Sequence, residues 1–416
     1  MLAAGEGVDL IYAAALVNFK DNVARKAFVE LTDDFLHTYM PQTMANMPAE
    51  AFLQVAIDGK IYAIPRNEAS YSSFYNVAII RKDLREKYGL PELKSFEDYE
   101  NYLFTIAENE TGIYGYYNMP THRPALYAFY EVANNFEQIL KGDWFVWKDD
   151  GSFSTDEVNY YYDIPEYKEY ALRMAEWAKK GVWPSDAIAG TIQPSEYFTQ
   201  GRAASVIVSA EGIDNTINDC AKNGITDVEA FDIFPDRTAR KSEYNGDAIA
   251  IPYSSKNPER AAMALDLLKF DPEIHLLMMG GIEGEHYIMN ADGTRENGPK
   301  AADYGWGSFN WAIRDDNDPK IARSQVTLDI LGTFENRTLN DSYWPCFGFS
   351  FDNSAVKTQL TLIDSITSEY TNSFDLGVFG DDTEAKYDEF INRLKEAGLD
   401  QVKEEYMKQL KAYVGE

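Results

Sequence analysis
The sequence predicts an α/β protein built of more than one lobe, and three observations carry that expectation. Strand-like and helix-like stretches alternate almost throughout. The chain has 416 residues, more than one hydrophobic core usually supports. One stretch, Asp58 to Arg81, reads as strand, polar interruption, strand. A polar turn, Asp58–Gly59, launches a short apolar strand, and Pro65 stops regular pairing. The polar run Arg66 to Ser73 follows, and a β-rich run resumes from Phe74 to Ile80. Such an interruption suits a chain that leaves one lobe, crosses a cleft and enters another, because the crossing is wet and its side chains reach a ligand.

The remaining elements follow in order. A Gly-flanked turn feeds the strand Val8 to Tyr12, so the chain starts like the middle of a fold, with earlier strands implied. Ala13 to Lys20 reads as a loop and Asn22 to Phe28 as a short helix. Thr32 or Asp33 caps a second helix, and Pro41 to Ile57 carries a third helical pattern. From Ser95, the residues Phe96, Tyr99, Tyr102, Leu103 and Ile106 share one helical face, with Ser95 and Asp98 in a capping-box spacing. Ile113 to Asn118 reads as a strand, and Trp144 to Phe153 as a hairpin around Asp149–Asp150–Gly151. Pro165 to Lys180 is an amphipathic helix stopped by Gly181, and Phe198 to Ser209 is helix end, turn and buried strand. Phe231 to Phe234 makes a short strand. Ala248 to Ile251 leads into the helix Glu259 to Phe270, with Asn257 as cap and Pro258 at the first helical position. Ala355 to Tyr370 and Thr383 to Tyr413 are helical.

Charge narrows the partners. Lys plus Arg number 38 against 68 Asp plus Glu, a net charge of -30, with no basic run, so phosphate backbones and anionic lipid surfaces are repelled and nucleic acid is not expected. The two cysteines, Cys220 and Cys346, lack a CxxC spacing; each reads as a small buried residue, with a disulfide between them the alternative open to an exported protein. No apolar run reaches the ~18 residues of a membrane span, and no signal peptide is visible.

Catalytic and cofactor motifs are missing: no G-x-S-x-G, H-E-x-x-H, G-x-x-x-x-G-K-[ST] or G-x-G-x-x-G occurs, and no cofactor is expected. His37, His122, His275 and His286 lack metal-pair spacing, so no metal site is expected and each reads as structural or surface. Asp315–Asp316–Asn317–Asp318 lacks the Gly and terminal Glu of a calcium loop and reads as a solvated turn and helix cap. The aromatics, with 28 Tyr, 23 Phe and 7 Trp, say more, because rings on loops beside polar residues stack on a pyranose face while their neighbours bond its hydroxyls. The candidates are Arg66, Asn67, Glu68 and Tyr71 in the crossing; Tyr117, Asn118, His122 and Arg123; Glu211 at a strand-to-helix turn; Trp306, Phe309 and Trp311; and Trp344 and Phe347. They recur at ends of expected strands, where open α/β folds put ligands. Each also has a plain structural reading, as core or turn.

Five stretches carry a family resemblance. They are Gly5 to Tyr12, with Ala27 to Thr32 after it; Asp58 to Ile64 with Tyr75–Asn76; Phe198 to Ala204; Asn257 to Ala261; and Gly280 to Tyr287. In order and spacing these resemble the family 1 extracellular solute-binding proteins, the ligand-capturing components of carbohydrate ABC importers. The fifth, Gly280–Gly281–Ile282–Glu283–Gly284–Glu285–His286–Tyr287, resembles a segment of the Gram-positive complex-carbohydrate, aldouronate-type binding lipoproteins. Its structural alternative is a helix C-terminal glycine turn running into a strand, with Glu283 and His286 stabilising the turn.

The resemblance implies a two-lobed periplasmic-binding-protein-like fold with a hinge and an interlobe cleft. Lobe one would comprise residues 1–69 and 244–320, and lobe two 70–243 and 321–416. It implies a monomer, lipid-anchored at the extracellular face in its full-length form, which captures an oligosaccharide, uronic-acid containing in one version, and delivers it to membrane permease subunits. Where maltodextrin-binding members carry an aromatic and an Asp-Arg pair, this chain reads Ala13 to Asn18, which speaks against maltodextrin. The family's anchoring Cys and first two β-α units are not seen, so the first lobe is expected to be incomplete at its N-terminus. Two readings stand beside this one: a secreted carbohydrate-active enzyme with a carboxylate pair, and a binding protein of the same fold for peptides or another small solute, with Arg66 and Arg123 pairing a carboxylate.

Overall fold
A computed structural model describes residues 7–13, 19–67, 70–71, 76–120, 134–139, 145–148, 153–232, 239–244, 246–305, 308–315, 318–335, 339–343, 346 and 349–416. The chain forms two compact units. The first comprises Met1–Tyr71, Arg240–Ala322 and Asp341–Gly348; the second comprises Ser72–Ala239, Arg323–Asn340 and Phe349–Glu416. The excursion Asp341–Gly348 adds to the first unit a segment that the sequence reading assigned to lobe two.

In the first unit the short strand Ala248–Ala250 runs antiparallel between Ile11–Tyr12 and Ile64–Pro65, with Ile11 opposite Ala250 and Ile64 opposite Ile249. Leu31, Leu36, Met40, Ile64, Ile249, Ile251, Leu265, Ala312 and Ile313 bury together as its core. Asp58 and Gly59, with φ of 51° and 76°, make the left-handed turn that joins Ala56–Ile57 to Lys60–Ile61. Thr32 caps the helix Asp33–Tyr39 by accepting from Phe35 N at 3.2 Å. The expected helix over Pro41 to Ile57 is instead Pro41–Asn46 and Ala49–Leu53, separated by Met47 and Pro48 in extended backbone, and it ends in the hairpin. The first short helix is Phe19–Ala24, earlier than its sequence pattern suggests.

The helix Pro258–Phe270 buries Ala261, Ala262, Leu265, Asp266 and Lys269. Asn257 precedes it without a side-chain cap bond; its own N–H donates to Ser255 Oγ at 3.1 Å. The next helix, Pro272–Gly280, stops at Gly281, with φ of 81°, and a turn leads to the hairpin Tyr287–Met289 with Arg295–Asn297. Ile282 N donates to His286 Nδ1 at 2.9 Å, so this histidine does hold the turn.

The second unit centres on Asn76–Arg81, antiparallel to Ser205–Ser209 on one side and Val228–Phe231 on the other. The last of these lies just before the position expected for it. Val77, Ile79, Phe198, Val206, Ile213 and Cys220 pack on this sheet. The helix Phe96–Asn109 starts at Ser95, whose hydroxyl accepts from Asp98 N at 3.1 Å, while Asp98 returns its bond one residue early, to Lys94 N at 3.0 Å. Ile113 to Asn118 is not a strand: only Tyr114 forms a bridge, to Ala203. Phe145–Lys148 pairs with Phe136–Gln138 and Asn159–Tyr160; of the expected hairpin partner, residues 149–152 lie outside the described residues.

The helix Pro165–Lys179 packs against Lys357–Asp375 and Thr383–Glu396, and Leu399–Val414 completes the group. The sequence pattern runs through the last two as one helix; Gly398, with φ of 98°, divides them. Rings of Tyr162, Tyr167, Tyr370, Phe374, Tyr387 and Phe390 meet at their interface. Both cysteines are buried and free, and burial pushes their thiols up, Cys220 to about 11 and Cys346 to about 12. Among the described residues no helix is long and apolar enough to cross a membrane.

Candidate functional site
The polar crossing begins where Ile64–Pro65 ends, and one carboxylate organises it. Asp247, immediately before Ala248–Ala250, accepts from Tyr12 Oη at 2.5 Å, Arg66 Nη1 at 3.0 Å and Arg314 Nη2 at 3.3 Å. The antiparallel register dictates this gathering, since both edge strands flank the strand that Asp247 precedes. Burial, then the bond and charge of Asp247, push the Tyr12 hydroxyl up to about 12, against the opposing pull of Arg66 and Arg314. Backbone bonds fix the segment further: Arg66 N donates to Asp247 O at 3.1 Å and Asn67 N to Arg314 O at 3.0 Å.

Asn67 Nδ2 donates to Asp315 Oδ2 at 2.5 Å, and Asp315 N to Asp318 Oδ2 at 3.0 Å. His275 Nε2 meets Asp318 Oδ1 at 2.6 Å and its Nδ1 meets Leu268 O at 2.8 Å. Burial draws the His275 imidazolium down, but the Asp318 bond and charge outweigh it and leave the pKa raised. Asp315 and Asp318 are therefore not the solvated ends expected of that turn, whose Asp316 and Asn317 lie outside the described residues. Asp315 is buried and Asp318 is tied to a buried histidine, so these carboxylates close a polar network. Behind them lies a pocket of about 350 Å³ lined by Asn67, Lys269, His275, Asp315 and Asp318, with Phe270 and Leu276 among its apolar walls.

The helix Ser308–Ile313 delivers the ring of Trp311. Asn310, Ala312 and Ile313 are buried, and Asn310 Nδ2 donates to Met278 O at 3.0 Å, whereas Trp311 is 47% exposed. Three residues on, Arg314 Nε donates to Trp311 O at 3.3 Å, which joins the indole's backbone to the Asp247 cluster. A fixed hydrogen-bonding segment and an exposed indole thus share one unit. This is chemistry for holding a polyhydroxylated ligand by stacking and hydrogen bonds.

The structure brings Arg66, Asn67 and Trp311 into this connected region. Arg66 is buried against Asp247, so its guanidinium is not the open anion hook that the sequence suggested. Tyr71 falls in the strand Ser70–Tyr71, paired with Lys241. Tyr117 and Asn118 are both buried in the second unit, Tyr117 stacked on Tyr197 at 3.9 Å and Asn118 bonded to Asp375 O at 3.3 Å. Glu211 sits in the turn Ala210–Gly212 after Ser205–Ser209. Phe309 lies in the helix with Trp311. Glu68, His122, Arg123, Trp306, Trp344 and Phe347 lie outside the described residues.

Asp247, Lys269, His275, Arg314 and Asp318 went unread as site residues. For Lys269 a signal existed: it follows Ala262, Leu265 and Asp266 on one helical stripe, so burial of a charge was readable. Among the described residues no group of three His, Cys, Asp or Glu side chains is placed to hold a metal ion.

Comparisons extend these observations. Residues 1–270 match the family model described as bacterial extracellular solute-binding protein, and residues 345–415 match a domain of unknown function, DUF3502. No curated protein matches by sequence. Among solved structures, the chain is similar to the N-glycan transport solute-binding protein of Streptococcus pneumoniae, at 20% identity and a TM-score of 0.75, covering 100% of this chain and 88% of that one. It is also similar to alginate-binding protein AlgQ2 without calcium ion, at 15% identity, a TM-score of 0.71 and coverages of 99% and 87%. A third is an HMO-binding ABC-transporter-associated solute-binding protein of Bifidobacterium longum infantis, at 13%, 0.66, 99% and 89%. At such identities the likeness is one of fold.

Proposed function
The chain belongs to the bacterial extracellular solute-binding proteins, and from that premise we propose that it captures an oligosaccharide outside the cell and delivers it to the permease of an ABC importer. Capture proceeds by hinge closure: contacts that form better in the closed state shift the population toward it, and the permease recognises that state. The ligand leaves unaltered, and the protein acts as a lipid-anchored monomer.

The observation that carries the carbohydrate reading is Trp311, an indole held 47% exposed on a helix whose neighbouring residues are buried, and linked through Arg314 to the crossing at Arg66 and Asn67. An aromatic face beside fixed amide and backbone groups suits a pyranose. The similar structures support the class, since they are an N-glycan transport protein, an alginate-binding protein and an HMO-binding protein. Engagement of Arg66 and Arg314 by Asp247 favours a neutral sugar over a uronate.

The test is a thermal-shift screen of neutral oligosaccharides, aldouronates, peptides and polyamines, followed by titration of any hit. A ligand at 100 times its Kd stabilises the native state by about 2.7 kcal/mol. Shifts confined to sugars, with the sugar recovered intact, support the proposal. Shifts confined to peptides or polyamines overturn the carbohydrate class, and a cleaved sugar overturns the transport reading. Trp311→Ala should weaken sugar binding at least tenfold, about 1.4 kcal/mol, with the melting temperature of the free protein nearly unchanged.

A further inference from the structure
The amine of Lys269 lies where two segments of the candidate site meet. Lys269 is 3% exposed, and its Nζ donates to Pro65 O at 3.0 Å and to Ala312 O at 3.1 Å. Pro65 immediately precedes Arg66, and Ala312 immediately follows Trp311. One buried nitrogen therefore spans the start of the polar crossing and the end of the indole's helix.

We infer that Lys269 is a positioning residue: its amine sets the spacing between the Arg66–Asn67 backbone and the Trp311 ring, and gain or loss of its proton alters that spacing. The inference rests on the reading of this surface as the sugar-contacting one.

A neutral amine has two N–H groups, and two carbonyls accept them. Protonation adds a third donor and a full charge. Among the described residues, the ionisable groups around it are few and mostly engaged. On its own helix, Asp266 is bonded to Gln42 and Thr43. From the following helix comes His275, bonded to Asp318; from the segment after Trp311 come Asp315 and Asp318; Arg66 and Arg314 are held by Asp247, and Arg295 reaches the cluster through its attraction to Asp318. The charge of the ammonium attracts the Asp315 carboxylate, which accepts from Asn67 Nδ2, and the neutral amine does not, so the proton on Lys269 bears on Asn67 through that carboxylate. Burial draws Lys269 down to about 7, against the attraction of Asp315 and Asp318, which puts the exchange near neutrality.

The experiment needs no sugar. The protein is labelled with 5-fluorotryptophan, the Trp311 fluorine resonance is assigned by its loss in Trp311→Phe, and its shift is followed from roughly pH 5 to 9, around the expected midpoint. The wild-type resonance should move in a single transition near pH 7. It should stay flat in Lys269→Met and in Lys269→Arg, which keeps donors and a fixed charge, and should titrate normally in His275→Gln. A flat wild-type resonance, or a transition that survives in Lys269→Met or vanishes only in His275→Gln, overturns the assignment. If Lys269→Met fails to fold, the Lys269→Arg and His275→Gln titrations decide the matter. Failure of every sugar in the screen would remove the proposed function while this titration still read out, and a flat resonance in a sugar-binding protein would remove only the role of Lys269.

Discussion

Replacing Asp266 should cost the first unit more than any exposed substitution, and the reason lies in one short helix. Pro41–Asn46 has six residues, and Met40 at its N-cap position makes no side-chain capping bond. The cap comes from another helix. Asp266 Oδ1 accepts from Thr43 N and Thr43 Oγ1, each at 2.7 Å, and Oδ2 accepts from Gln42 N at 3.2 Å. Both Asp266 and Thr43 are buried. Asp266→Ala strands two backbone donors and a hydroxyl; a stranded buried group costs about 1 to 3 kcal/mol, and the carboxylate's own desolvation, relieved by the change, offsets part of the sum. The net loss should be roughly 3 to 5 kcal/mol. Asp266→Asn, which retains one acceptor oxygen, should lose less than half of that. Urea unfolding followed by circular dichroism gives the free energies, and a cycle with Thr43→Val gives the coupling, expected to exceed about 1 kcal/mol. An Asp266→Ala loss under about 1 kcal/mol, or effects that simply add in the double variant, would refute this account.

Two further outcomes follow from other buried positions. Lys269 has an ordinary pKa of 10.5 when unfolded and about 7 when folded, so between those values the unfolded chain holds a proton that the folded chain lacks. Stability from this residue therefore rises with pH across that window, by up to about 1.4 kcal/mol per unit. The wild-type stability minus that of Lys269→Met, measured by urea unfolding at several pH values, should climb accordingly; a difference independent of pH would remove the depressed lysine from the account. Gly377 has a φ of 63°, and a Cβ there would lie 2.3 Å from Met174 O, so Gly377→Ala should destabilise the second unit by more than about 2 kcal/mol, and an unchanged urea midpoint would contradict it.

Periodic and capping signals were legible in the sequence wherever local chemistry decides the outcome. Phe96–Asn109 and Pro165–Lys179 carry their apolar faces in helical register, and Thr32 and Ser95 cap as their spacing suggests. The Asp58–Gly59 turn forms because those residues tolerate positive φ. Tertiary partners were not legible. The aromatic run after Ile113 has strand composition, yet Tyr116 and Tyr117 are buried and a Cβ at Gly115 would sit 2.7 Å from Leu103 O, so packing against the neighbouring helix replaces a ladder. Phe145–Lys148 pairs with Phe136–Gln138, and nothing in its alternation names that partner.

The candidate site divides the same way. Arg66 and Asn67 were visible as a polar break between two apolar runs, but Asp247 lies about 180 residues on. Asp315 and Asp318 looked like a surface turn because acidic clusters usually are one. Their engagement depends on His275 and Asn67, which only the fold brings alongside.

The division of the chain between its units has a consequence for how such a molecule is recombined. The chain changes unit after Tyr71, Ala239, Ala322, Asn340 and Gly348, and the bond from Tyr12 to Asp247 closes over 235 residues of sequence. No contiguous stretch of the gene encodes either unit. A single crossover with a relative anywhere between Ser72 and Gly348 therefore splits both units at once, and a donor fragment that carries Arg66 without Asp247 delivers half of a buried ion pair. Substitution at Trp311 or its neighbours changes the candidate site one side chain at a time, whereas wholesale exchange of a unit needs several junctions in register.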